Sequence, residues 1–473
     1  MNILLVRPKS EFFDMVLGIP IGPALLAAVA EREGHTCRIL DLAVCASQEK
    51  SWPVLEQALD EQSWDLVGIT CMTVEYSGAK LAADFTKQRH PDLPIVFGGQ
   101  HATIQSREVL AEPHADYVVI GEGEDTFREL LEVVAGTRRR EQVDGLCWKN
   151  EGQPVFNMPR AAISDLDSIP LPAYHLLDIP TYFEIGTGRY APRSKYCLQI
   201  FTSRGCPWKC IYCHDLFGKK FRARSPENVF SEIELLYNQY GVRELMIEDD
   251  IFNLDLARAK TICDLIIASP LKLHMQFENG LRLECFDEEL VQKLAQAGTH
   301  HISIAIESAS PRVQKLIKKN LKLHKLSEVL GWMKKYGIST LGFFMMGFPF
   351  ETVEDIEETI RFARRSDLDE ALFSIAVPYA GTDLNKLVYE EGSYDPNQAS
   401  MGGKGITLIK TEHFDFARLK KLQRKAYFTF FMSRYRFVKA VPRLMHYSTA
   451  KTYLKAIERN FLGYGGGATS RVN

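Results

Sequence analysis

Short continuous apolar runs alternate along the first 140 residues with longer stretches of helical periodicity, and each pair predicts a buried strand followed by an amphipathic helix. The strands fall at 3–6, 36–40, 66–70, 95–97 and 117–120, and the helices at 24–33, 54–62, 77–88, 106–111 and 126–134. That alternation predicts an α/β fold whose first domain, residues 1–140, is a doubly wound, Rossmann-like parallel sheet. Residues 141–194 lose the periodicity and gather Pro, Asp, Gly and Tyr, as a linker that packs against its neighbours would. Over 195–390 the alternation resumes, with strands at 196–202, 244–248, 273–277, 301–306, 339–346 and 372–377. Six strands separated by helices predict a partial (β/α)6 TIM barrel, open on one side so that a bulky substrate can enter. Residues 391–473 change character and predict a C-terminal helical extension, helical from about 415 to 440.

The chemistry concentrates where strands end. Cys206, Cys210 and Cys213 follow the strand at 196–202 in the run Ser203-Arg-Gly-Cys-Pro-Trp-Lys-Cys-Ile-Tyr-Cys-His214. Thiolates are soft ligands for iron–sulfur clusters or zinc, and this spacing lets one short loop hold three irons of a cubane with the fourth left open. A zinc site with His214 as fourth ligand, or a redox dithiol at Cys210 and Cys213, is the plainer alternative. In the first domain glycines cluster after the late strands, at Gly98-Gly99 and at Gly121-Glu122-Gly123, where a sheet of this type binds ligands. Tight turns alone would also account for them.

The cysteine spacing, with an aromatic residue before the last cysteine, resembles the signature of the radical S-adenosylmethionine enzymes. The resemblance implies a 4Fe-4S cluster whose open iron chelates the methionine moiety, and reductive cleavage to a 5′-deoxyadenosyl radical. It further implies an electron donor such as ferredoxin or flavodoxin. By the same resemblance Asp249 or Asp250, with Glu248 less favoured, receives the methionine ammonium, and Glu307 with Ser308 contacts the ribose. Tyr212 and the turn at Met346 and Gly347 border the adenine, and the turn from Pro378 to Thr382 lies near cofactor and substrate. The structural alternatives are an acidic cap at Asp249-Asp250, a packing role for Gly342, and an ion pair of Glu307 with Arg282 or Lys315.

A second resemblance rests on Ile19 to Gly34, Phe97 to Thr103 and Ile120 to Glu124, which look like the cobalamin-binding domain found before many such barrels. It implies cobalamin bound near Gly98, Gly99, Gly121, Glu122 and Gly123. Cobalamin domains that place a histidine on cobalt carry Asp-x-His-x-x-Gly after the first strand, whereas Arg7 to Gly18 holds no histidine. The lower face of the cobalt would lack that ligand here. His101 is a candidate contact, and a surface histidine satisfied by backbone is the plainer reading.

Composition narrows the setting. With 46% hydrophobic and 25% charged residues and a net charge of -3, the chain reads as an ordinary globular protein with no general affinity for nucleic acid. Seven of the ten cysteines (Cys37, Cys45, Cys71, Cys147, Cys197, Cys263 and Cys285) are scattered singly, which fits inert thiols in a reducing, cytoplasmic compartment. The opening Met1 to Pro8 reads as a strand rather than a signal peptide, and no apolar segment reaches membrane-spanning length. From 404 onward about fifteen basic residues face three acids, interleaved with aromatics. That tail predicts a helical cap over the barrel opening, or an interfacial helix or lid for a lipid-like or tetrapyrrole substrate with peripheral membrane contact.

Taken together, the resemblances imply a cobalamin-dependent C-methyltransferase for an unactivated carbon of a small molecule. One S-adenosylmethionine would supply the radical and a second would remethylate the cobalamin. Ring closure or rearrangement without methyl transfer is the near alternative, and a sensor without turnover the distant one. Methylthiolation of tRNA fits poorly, because Cys37, Cys45 and Cys71 do not form a second triad.

Overall fold

The computed structural model describes residues 1–10, 18–186, 192–393 and 409–432. Its N-terminal sheet has seven strands in the order β2-β1-β3-β4-β5-β6-β7. These are β1 (Asn2–Arg7), β2 (Thr36–Asp41), β3 (Leu66–Thr70), β4 (Ile95–Gly98), β5 (Tyr117–Val119), β6 (Leu146–Asn150) and β7 (Gln153–Phe156). The first five are parallel, as continuous apolar runs between helices require, and both faces are covered: separate apolar cores lie on either side. The hairpin of β6 and β7 pairs antiparallel to β5. It occupies the start of the segment expected to be a linker, where Val143, Leu146, Cys147 and Trp148 are buried.

The rest of that segment ties the two halves together. Tyr174 and Tyr182 are buried in the barrel core, yet Tyr174 donates to Glu232 in the helix Pro226–Gln239 while Tyr182 donates to Asp41 at the end of β2.

The second sheet comprises β8 (Cys197–Ile200), β11 (Glu244–Ile247), β12 (His274–Leu281), β13 (Thr299–Glu307), β14 (Ser339–Met346) and β15 (Glu370–Ile375), with β9 (Ser203–Arg204) and β10 (Arg222–Ala223) forming a separate short ribbon. The six run parallel in the order β15-β14-β13-β12-β11-β8, which is a partial barrel left open between β15 and β8. Helix starts follow their caps: Ser225 accepts from Asn228 N–H ahead of Pro226, as its position predicts.

Helix Phe416–Phe431 packs on the outermost strand rather than over a central opening. Gln423 donates to the Phe373 carbonyl at 2.6 Å, and the Tyr427 hydroxyl accepts from Phe373 N–H at 3.2 Å. Phe430 is buried against Phe373. This part of the extension therefore caps the barrel edge, and the expected helix beyond 432 lies outside the described residues. Among the described residues no helix is long and apolar enough to cross a membrane.

Candidate active site

The cysteine loop begins on a neck made by the antiparallel pairing of Arg204 with Arg222 and Ser203 with Ala223. Gly205 has φ +86°, and a Cβ there would stand 2.4 Å from the Lys220 carbonyl oxygen, so only glycine lets the two sides of the neck approach. Farther along, Ile211 N–H donates to Ile317 O and Leu384 N–H donates to Ile211 O, which ties the loop to two barrel turns. Arg282 stacks over Trp208 at 4.1 Å and donates to Lys319 O.

Cys206 and Cys210 are half-buried and Cys213 is exposed, whereas Cys37, Cys71, Cys147, Cys197 and Cys263 are buried. Burial pushes the thiols of Cys37, Cys147 and Cys263 up to about 12, so they are inert. The hydrogen bond from Cys213 holds the Cys210 thiol below the usual thiol range, and against burial it is assisted by Lys319, the Tyr212 hydroxyl and Arg282. A thiol eased toward thiolate is the form that ligates metal. Among the described residues no three His, Cys, Asp or Glu side chains converge on a single-ion point. A cubane does not ask for that, because each thiolate takes a different iron. Both nitrogens of His214 are engaged: the Gln100 amide lies 3.2 Å from Nδ1, and Nε2–H donates to Ala380 O at 3.0 Å. That removes it from the proposed zinc set.

Beneath the loop, Glu307 closes β13 at a register shift with φ +68°, a bulge that re-aims its side chain. Its carboxylate is buried and lies 3.7 Å from Lys319 Nζ, so the partner is neither Arg282 nor Lys315. Burial raises the Glu307 pKa, and Lys319 opposes the rise. Lys319 sits in a turn whose neighbours Lys318 and Asn320 also have positive φ. No sequence motif marked it. The enclosed Tyr212 hydroxyl interacts with Cys210 and Glu307, yet meets no acceptor at good hydrogen-bonding geometry.

Three of the residues expected as contacts are engaged by the chain itself. Asp249 is fully committed to the chain, accepting from Thr202 N–H, Thr202 Oγ1 and Ser203 Oγ, so it locks the strand end instead of facing an ammonium. Asp250 is the exposed member, and one of its oxygens accepts from Gly205 N–H at 3.0 Å. Ser308 is buried against Thr359 and its carbonyl accepts from Gln314, which makes it internal architecture. Met346 is buried at the end of β14. Gly347 has φ +94°, and the space a Cβ would take is filled by Leu419. Glu351 holds that turn by accepting from Gly347 and Phe348 N–H, with its Oε1 unpartnered and its pKa pushed up by burial to about 8. Gly342 is pinned by packing, since a Cβ would lie 2.5 Å from Leu368.

On the N-terminal sheet the same edge carries Gly98 and Gly121, beside each of which a Cβ would meet open space, and Gly99 with φ +91° pressed against Thr70 and Cys71. Gly123 packs on Leu26. His101 is buried, not on the surface: its ring lies on Tyr76 and Nδ1 meets Thr73 Oγ1, while Nε2 is buried without a partner. Burial lowers its pKa, so the ring is neutral. Exposed backbone and one orphaned imidazole nitrogen suit a large ligand with hydrogen-bonding edges. Glu122 is the third. Its carboxylate is spent on Arg222, Arg204 and Ile163 N–H and does not face such a ligand. Sequence reasoning also missed the buried ion pair of Arg7 with Glu75, from which Arg7 donates to Gly18 O.

The two edges meet. Gln100 reaches His214, Ile104 lies where a Cβ of Gly381 would be, and Ile19 N–H donates to Gln199 Oε1 of β8 at 3.0 Å.

The chain matches the B12 binding domain model over residues 16–131 and the Radical SAM superfamily model over 200–363. It is 33% identical over 443 residues to an uncharacterized methyltransferase of Pyrococcus horikoshii, covering 91% of this chain and 93% of the relative. It is 28% identical to the cytidylyl-2-hydroxyethylphosphonate methyltransferase of Streptomyces wedmorensis, covering 84% of this chain and 83% of that one. The fold is shared with OxsB, a cobalamin-dependent S-adenosylmethionine radical enzyme, at 16% identity with a TM-score of 0.74 over 97% of this chain and 71% of that structure. The chain therefore belongs to the radical S-adenosylmethionine enzymes that carry a B12-binding domain, and its cofactors are a 4Fe-4S cluster, S-adenosylmethionine and cobalamin.

Proposed function

We propose that this enzyme is a C-methyltransferase acting on an unactivated carbon of an apolar small molecule, lipid-like or of tetrapyrrole size. The observation that carries the reading is the apposition of the two ligand-binding edges through Gln100 and His214, Ile104 and Gly381, and Ile19 and Gln199. A methyl donor on one sheet and a radical source on the other are useful together only if their edges face across a short gap. The methyltransferase names of the relatives support it.

In this reading Cys206, Cys210 and Cys213 hold the cluster, Asp250 takes the methionine ammonium, Glu307 the ribose, and Tyr212 with Met346 and Gly347 borders the adenine. Gly98, Gly99, His101, Gly121 and Gly123 border the corrinoid. When bound, these groups supply a carbon radical and a methyl group. The chain's own residues position and enclose: His214 joins the cysteine loop to the turns at Gln100 and Ala380, and Lys319 holds the Glu307 carboxylate beneath the loop. We propose domain limits of 1–140, 141–194, 195–390 and 391–473, with the hairpin at Leu146–Phe156 a late extension of the first sheet. Ten unpaired cysteines support a reducing cytoplasmic setting with a ferredoxin or flavodoxin donor.

The test is anaerobic purification, an absorbance spectrum, and incubation with reductant, S-adenosylmethionine and candidate apolar substrates. Cluster and corrinoid bands together with 5′-deoxyadenosine, S-adenosylhomocysteine and a methylated product are expected. A stably bound cluster without corrinoid would overturn methyl transfer in favour of ring closure.

A further inference from the structure

The neck of the cysteine loop carries a conflict that the barrel itself does not resolve. Arg204 and Arg222 are direct cross-strand partners, and their side chains are only 11% and 3% exposed. Like charges placed opposite each other in a ribbon oppose pairing, and burial removes the water that would screen them. The ribbon is two residues per strand, too short to hold itself closed against that repulsion. Both compensating carboxylates come from the N-terminal domain. Glu122 accepts from Arg222 Nη1 at 2.9 Å and Nη2 at 2.5 Å and lies 3.7 Å from Arg204 Nη1, while Glu124 accepts from Arg204 Nη2 at 2.5 Å. Two guanidinium groups and two carboxylates thus form a neutral buried quartet across the domain boundary.

We infer that Glu122 and Glu124 are positioning residues that keep the cysteine loop shut, so that retention of the cluster depends on the corrinoid-side domain. Arg204 lies two residues before Cys206, and the loop from 205 to 221 springs from this neck, held to the barrel on its first side by Gly205 N–H donating to Asp250, the Arg282–Trp208 stack and the backbone bond of Ile211. Neutralising one carboxylate leaves a buried guanidinium unpaired beside another. The neck then opens and the cluster meets solvent. The same quartet places the Gly121 to Gly123 turn against the loop, which sets the spacing between the two ligand edges. The inference rests on the assignment of the cluster to Cys206, Cys210 and Cys213.

The experiment compares reconstituted wild type, E124Q, E124D and E124Q/R204Q under anaerobic conditions. It reads iron released to an excess of a ferrous chelator, the electron paramagnetic resonance of the reduced cluster, and the thermal midpoint by circular dichroism. E124Q is expected to release iron about tenfold faster than wild type or more. E124D is expected to keep the wild-type rate, and E124Q/R204Q to recover most of it, because the unpaired charge has been removed with its partner. Wild-type release from E124Q, or equally fast release from E124Q and E124Q/R204Q at matched thermal midpoints, overturns the inference. Should E124Q fold poorly, recovery or its absence in E124Q/R204Q still decides. A wild-type protein that binds no iron would instead sink the cluster assignment itself.

Discussion

Glu307 and Lys319 face each other at 3.7 Å beneath the cysteine loop, and both side chains are withdrawn from water. The pair gives the buried carboxylate a fixed counter-charge while leaving its backbone in the left-handed region at φ +68°. Lys319→Met should therefore cost on the order of 3 kcal/mol of stability near neutral pH, because a buried charge is left alone. Since burial already raises the Glu307 pKa, the abandoned carboxylate can take up a proton in mild acid. The cost in urea unfolding should then be smaller at pH 5 than at pH 8.

Glu351 makes a sharper pH prediction. Its folded pKa of about 8 lies above the ordinary 4.5, so between those values the native state holds a proton that the unfolded state has lost. Stability should fall as pH rises through this window, with a slope approaching 1.4 kcal/mol per unit and a total on the order of 5 kcal/mol. Glu351→Gln keeps an acceptor for Gly347 and Phe348 N–H and carries no charge. Urea midpoints of this variant should lose that contribution, and an unchanged pH dependence would contradict a protonated Glu351.

Gly18 sits with φ +112°, where a Cβ would stand 1.8 Å from Gln199 Oε1. Gly18→Ala should destabilise by about 3 kcal/mol, partly from backbone and partly from overlap. Only the overlap part should return in the Gly18→Ala, Gln199→Ala double variant. A double-mutant cycle by chemical denaturation separates the two.

The cysteines divide by location. Cys213→Ala should lose cluster iron and reduce release of 5′-deoxyadenosine to the buffer background, whereas Cys263→Ala, in the barrel core, should keep wild-type iron content. Iron assay and chromatography of the nucleoside check both.

The fold was legible because period and strand ends are local properties. Five parallel strands, six barrel strands and the Ser225 cap follow from runs of a few residues. The β6 and β7 hairpin was not, since its alternation is short and set among prolines and glycines. The three cysteines stood out as candidate ligands by their spacing. Roles of acidic residues were not, because a carboxylate at a strand end can serve a ligand or the chain, and only three-dimensional neighbours decide. Asp249 went to Thr202 and Ser203, Glu122 to two arginines, and Glu307 to a lysine from a turn without any motif.

The bonds from Gln423 and Tyr427 to Phe373 occupy the rungs by which β15 could recruit another chain. A molecule cut short before residue 415 would offer those rungs bare, in a strand whose buried Phe373 stacks on Phe344 of β14. The basic tail thus begins with a guard against self-assembly, which leaves the other margin of the sheet, at β8, for the N-terminal domain to cover.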